Sequence, residues 1–147
     1  MMVIAKTNSV HTFLADQFKD RKVKKKYIGL TWGLWDNAKD EINEPLLRDK
    51  KDPTKYSVNA NGKISITKYE VERIFRHSSL VSFFPITGRT HQIRVHASYC
   101  GHPIFGDEKY GGGISRSKGF LPEFKSHYKK LIQKFCLLYT SPSPRDT

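Results

Sequence analysis

The chain has 147 residues, enough for one domain with a buried core and too few to demand two. Hydrophobic residues make up 37% and aromatics 12%, which excludes the low-hydrophobicity composition of a disordered chain. Twenty-six Lys and Arg against 14 Asp and Glu leave a formal charge of +12, the electrostatic footprint of a polyphosphate partner. An acidic membrane surface would fit the charge equally well, but no basic amphipathic helix dominates the sequence, so nucleic acid leads.

In chain order, Met2-Val3-Ile4-Ala5 is a short apolar run suited to a buried strand. Asn8 or Ser9 can cap a helix whose Val10, Phe13, Leu14 and Phe18 recur at helical spacing, with Lys19 and Arg21 in its last turn. Val23 to Trp32 is strand-like and carries Lys24-Lys25-Lys26 directly before Tyr27. From Leu34 to Asn61 the chain is polar, holds Pro45 and Pro53, and reads as connection with room for one short strand. Asn61-Gly62 is a turn signal of the type that wants positive φ. Alternation from Ile64 to Phe75, then Leu80 to Ile86 after Arg76-His77-Ser78-Ser79, predicts an antiparallel hairpin.

Thr87-Gly88-Arg89 breaks the strand, and the following residues predict a helix ending near Gly101, a natural left-handed stop. Strand, glycine turn and helix together make an arrangement that favours anions. His102 to Asp107 is a turn-rich loop, and Tyr110-Gly111-Gly112-Gly113 reads as flexible. A last helix spans Leu121 to Phe135, with Phe124, Tyr128, Leu131, Ile132 and Phe135 on one face. Residues 136–147 break that pattern and resemble one reading frame of a common sequencing adapter. We therefore expect residues 1–135 to be part of a catalytic domain and 136–147 a non-native tail.

The two cysteines, Cys100 and Cys136, form neither a disulfide framework nor a CxxC zinc site, which fits a reducing compartment. No apolar run approaches a membrane span, and the N-terminus lacks a signal-peptide pattern, so the expected location is cytoplasmic.

Three histidines and two arginines fall between Arg89 and His102. Metal binding is one reading, but His91 and His96 are not spaced as a helical zinc pair, and Cys100 and His102 complete no familiar ligand pattern; no metal is expected. An RNA-facing helix is the other. Arg89 and Arg94 would contact phosphates or pair with a buried acid, and His91 and Gln92 would offer hydrogen bonds. The bland alternative is a solvated basic helix with Ile93, Val95 and Ala97 packed inward.

Thr87 to His96, followed by Gly101-His102-Pro103-Ile104, Gly106-Asp107 and Tyr110-Gly111, resembles the second signature of the RluA-type pseudouridine synthases. The likeness extends to Val3–Thr7, Phe18-Lys19-Asp20-Arg21 and Lys24-Lys25-Lys26-Tyr27, fades between Leu34 and Asn61, and ends near Phe135. Within the family, the bacterial enzymes acting on large-subunit ribosomal RNA are the nearest in pattern.

The resemblance implies an α+β domain on a mixed, largely antiparallel sheet flanked by helices, here incomplete. It implies an isomerase without a cofactor, monomeric, acting on RNA. A uridine is flipped out, its N1 glycosidic bond broken, the uracil rotated, and C5 joined to the ribose. The family's catalytic aspartate sits in an Arg-Leu-Asp motif that these residues do not contain; Asp16, Asp20 and Asp107 stand in other contexts. Tyr27 matches the tyrosine that packs on the flipped uracil and can serve proton transfer. Arg94 matches the arginine that pairs with the aspartate, and here is expected to be a buried charge lacking its partner. Ile104 is expected as an apolar wall, and Arg89, Thr90, His91, Gln92 and His96 as substrate-binding residues. The chain is expected to be inactive by itself; a non-catalytic basic RNA-binding domain is the alternative.

Overall fold

The computed structural model describes residues 3–20, 22–119 and 122–136. Helix α1 (Asn8–Lys19) is followed by strands β1 (Tyr27–Trp32), β2 (Lys39–Asn43), β3 (Leu46–Arg48), β4 (Tyr56–Val58), β5 (Ile66–Ile74) and β6 (Ser78–Pro85). Then come α2 (Gln92–Tyr99), 3-10 turns at Glu108–Tyr110 and Ile114–Ser117, and α3 (Pro122–Cys136). Every described pairing is antiparallel, in a four-stranded sheet ordered β1-β6-β5-β2 and a separate β3-β4 hairpin. The largely antiparallel α+β expectation holds.

The β5–β6 hairpin forms as its alternation predicts, closed by a Phe75 N–H to Ser78 carbonyl bond of 2.8 Å. Tyr69 lies opposite Phe83 and Val71 opposite Val81, so the inward row of β5 meets that of β6. Trp35, Ile42 and Ala97 of α2 close over this row to form the core, with Ile93, Cys100 and Ile104 packed against it. A second cluster stacks Phe105 and Tyr128 on Trp32, at ring-centroid distances of 4.6 and 6.0 Å.

Several elements depart from expectation for identifiable reasons. Residues 3–5 form no strand: they pair with none of the described strands, and Val3 and Ile4 are exposed. Thr7, not Asn8 or Ser9, caps α1; it is the last extended residue, and its hydroxyl accepts from the Val10 N–H. The apolar face of α1 is real but exposed, with no residue of the helix buried. Strand β1 starts at Tyr27 rather than Val23. Tyr27 pairs with Phe83, so extending the ladder by two residues would bring it to Pro85, which has no N–H to give.

The stretch read as connection holds three strands, β2 to β4, too short for periodicity to register. Strand β2 carries Lys39, Asp40 and Glu41 at the sheet's outer edge, where charge discourages further pairing. Asn61-Gly62 does turn, but neither residue takes positive φ. Gly62 is needed for closeness instead, since a Cβ there would sit 2.5 Å from the Leu46 carbonyl carbon. The Gly111–Gly113 segment is packed rather than loose: Gly112 and Gly113 are buried, and the Gly112 carbonyl accepts from the Trp32 indole at 2.8 Å. Helix α3 forms as expected and buries Tyr128, while Leu131 stays exposed. Arg21, the Ile132 and Phe135 side chains, and residues 137–147 lie outside the described residues. Among the described residues no helix is long and apolar enough to cross a membrane.

Candidate active site

Strand β1 is the sheet's edge, so its first residue, Tyr27, lies on the core-facing row opposite Phe83 and yet remains 52% exposed. Two residues on, Gly29 is closely approached by its neighbours. A Cβ there would meet Ile104 Cδ1 at 3.3 Å and Phe83 Cε2 at 3.5 Å. Gly29 borders a cavity of about 460 Å³ whose lining includes Lys25, Tyr27, Ile104, Arg89, His91 and Arg94. A larger cavity, about 610 Å³, opens beside the β5–β6 turn, walled by Leu30, Trp32, Phe75, Phe105 and Phe124. It gathers none of the signature's side chains.

Helix α2 follows the predicted strand-turn-helix order and stops at Gly101, whose φ is +82°. Its first turn brings two sets of side chains into opposite roles. Arg94, three residues after His91, shares its face and lines the cavity. Arg94 is not an orphan charge. Its Nε and Nη2 donate to the two Asp107 oxygens at 2.7 and 2.8 Å, a bidentate fork, and its guanidinium lies over the Tyr110 ring at 4.8 Å. The expectation of an unpaired buried charge is corrected: Asp107, within the signature but given no role from sequence, neutralises it.

Tyr110 joins this group to the β3-β4 hairpin. Its hydroxyl accepts from the Tyr56 N–H at 3.1 Å and lies 2.7 Å from His91 Nδ1. Burial, the largest effect, lifts the Tyr110 phenol above its usual value, and the tautomer of His91 sets which of the two groups donates. His91 itself has φ +56°, the one non-glycine residue with positive φ among those described.

Gln92 and His96, one turn apart, face the other way. The Gln92 oxygen accepts from the Thr87 hydroxyl (2.7 Å) and the Arg89 N–H (3.1 Å), while its amide donates to the Ile66 carbonyl and the Thr67 hydroxyl, both at 2.9 Å. Thr67 has then one proton to give, and His96 Nδ1 takes it at 2.8 Å; Nε2 donates to the Glu44 carbonyl at 2.9 Å. His96 is fully buried, and Gln92 touches the cavity wall with its amide already committed. These bonds join α2 to β5 through the two residues. Thr90 is exposed and lines a neighbouring groove.

Burial is the main cause holding the His96 imidazole below its usual 6.5. The unfolded chain therefore binds this proton more readily than the folded one. The contribution of His96 to stability is full above pH 6.5 and is lost as pH falls toward the folded value. Urea midpoints measured from pH 8 to pH 5 should fall across this window, and His96→Gln should flatten the fall; an identical slope in the variant would refute the assignment. No group of three or more potential metal-ligating side chains occurs among the described residues.

Comparison with known proteins agrees with this geometry. The profile of the RNA pseudouridylate synthase family matches residues 1–99. The ribosomal large subunit pseudouridine synthase C of Buchnera aphidicola subsp. Acyrthosiphon pisum is 42% identical over 113 residues, 76% of this chain and 36% of that protein. Synthase D of Blochmanniella floridana is 42% identical over 115 residues, again 36% of its length. Among solved structures, human RNA pseudouridylate synthase domain containing 1 superposes with a TM-score of 0.70 at 29% identity, covering 78% of this chain and 51% of that one. The chain spans about a third of the length of the curated relatives it matches. Signature, fold and family profile concur, and the chain belongs to the RNA pseudouridylate synthase family.

Proposed function

We propose that these residues form the uracil-facing part of a pseudouridine synthase acting on large-subunit ribosomal RNA. The observation that carries the reading is the convergence of Tyr27, Ile104 and Arg94 on one cavity at the exposed end of the edge strand. A flipped uracil would lie between the Tyr27 ring and the Ile104 side chain, with the tyrosine hydroxyl placed to exchange a proton at the base. Arg94, held from behind by Asp107, would pair with the nucleophilic carboxylate and keep it ionised. The reaction balances within the substrate: the N1–C1′ bond breaks, the C5–C1′ bond forms, and the proton leaving C5 is replaced by one at N1.

The nucleophile belongs to an Arg-Leu-Asp motif, and these 147 residues contain none. The chain as it stands should form no pseudouridine in ribosomal RNA. Placed instead of the matching 111 residues in the full-length Vibrio vulnificus synthase C, it should restore turnover. A folded but inactive chimera would overturn the reading, and turnover by the chain alone would mean that one of its own aspartates attacks.

A further inference from the structure

Beside the uracil cavity a second opening, about 400 Å³, runs between the β3-β4 hairpin and the turn before α2. Its lining gathers Arg48, Lys63 and Arg89, with Tyr56 and Thr90, and includes no carboxylate. Elsewhere the surface lysines that have acids nearby are neutralised: Lys26 by Glu72, Lys39 by Glu70, Lys55 by Asp52, Lys68 by Glu41. None of the three groove cations forms an ion pair with a described carboxylate.

The two arginines are nevertheless held in place. Arg48 donates through Nε and Nη2 to the Tyr56 hydroxyl at 3.4 and 3.2 Å and lies over that ring at 5.6 Å. Arg89 is tied by Nε to the Ile64 carbonyl at 3.3 Å. The Tyr56 phenol is held below its usual value, first by the bond from Arg48, then by one from Thr90, with the charges of Arg48 and Lys63 adding. Three positive charges therefore line one groove whose walls include no carboxylate.

The groove and the uracil cavity share Gly88 and Arg89. We propose that this groove binds the sugar-phosphate backbone of the single-stranded RNA flanking the flipped uridine, with Arg48, Lys63 and Arg89 as its phosphate contacts. The proposal rests on the synthase reading above for the identity of the polyanion. An extruded base forces its neighbouring phosphates to run past the cavity mouth, and the shared Arg89 makes this groove a continuous exit. One of the contacts, Arg48, comes from the small hairpin, and Lys63 from the segment bridged to it at Leu46, which gives that appendage a use: it extends the RNA track beyond the reacting nucleotide.

The test is titration of the chain with a fluorescent ten-nucleotide uridine-rich RNA between 50 and 200 mM salt. Each lost contact on single strands should reduce the log–log salt slope by about 0.7, which corresponds to about eightfold weaker binding at 50 mM and about threefold at 200 mM. Lys63→Gln is the cleanest variant, because the residue's link to Leu46 is through the backbone and survives the substitution. Arg48→Gln should lose the same amount, and the double variant about sixtyfold at 50 mM. Lys39→Gln, on the far edge of the sheet, should change affinity less than twofold, with circular dichroism confirming that all variants fold.

Equal weakening by Lys39→Gln and Lys63→Gln would show diffuse attraction and overturn the groove, as would an unchanged slope in Lys63→Gln. Either result leaves the synthase reading intact, since that depends on turnover by the chimera. Absence of any RNA binding by the unaltered chain would overturn the groove as well.

Discussion

Replacing Gln92 by leucine is expected to lower the stability of the chain by about 3 kcal/mol, although leucine is similar in size and suits a helix. Every hydrogen-bonding atom of the Gln92 side chain is in use, and four partners each lose a bond when it goes: the Thr87 hydroxyl and the Arg89 N–H lose their acceptor, while the Ile66 carbonyl keeps only the Ile86 and Thr87 N–H groups and the Thr67 hydroxyl only His96. Thr67 is completely buried, so water cannot replace the lost donor there without the joint opening. The loss passes on to His96, whose acceptor bond comes from the same Thr67 hydroxyl. Urea unfolding should show the midpoint falling at unchanged slope. A midpoint within about 0.5 kcal/mol of the unaltered chain would mean that the network adds nothing.

The second large effect belongs to Arg94. In the chimera with the Vibrio vulnificus synthase, Arg94→Ala should lower turnover on the order of a hundredfold or more, as expected when a preorganised charge at a reacting group is removed. RNA affinity and its salt slope should change little, because Arg94 points into the uracil cavity and its charge is already matched by Asp107. Arg94→Lys should not rescue the rate: an ammonium cannot fork onto Asp107 and present a further donor to a second carboxylate in the same plane. Turnover at the unaltered rate in either variant would remove Arg94 from the chemistry. A parallel loss of RNA affinity and rate would make it a binding contact instead.

These two expectations concern residues only two positions apart in one signature, and they differ in what could be read before the structure. The hairpin of β5 and β6 was legible because its alternation is long, and the end of α2 because Gly101 supplies the positive φ that a helix stop favours. The three strands between Leu34 and Asn61 were not legible, since three to five residues carry no measurable period and two of them pair only with each other. The cap of α1 was misplaced by one residue, because Thr7, Asn8 and Ser9 can all cap and only the backbone angles choose among them.

For the site, helical spacing already puts Gln92, Val95 and His96 on one stripe of α2 and His91 with Arg94 on another. The order of residues in the signature determined the family by itself, but it left Gln92 and His96 in one substrate-binding set with Arg89, Thr90 and His91. It could not determine which stripe lines the cavity, because glutamine and histidine satisfy a ligand or a backbone equally well. Only the tertiary structure decided that. Strand β5 presents the Ile66 carbonyl and the Thr67 hydroxyl to α2 in a place closed to water, and those groups require polar partners, so Gln92 and His96 turn inward. The other stripe is left over the cavity, where Asp107, thirteen residues beyond Arg94, arrives through the loop to neutralise it.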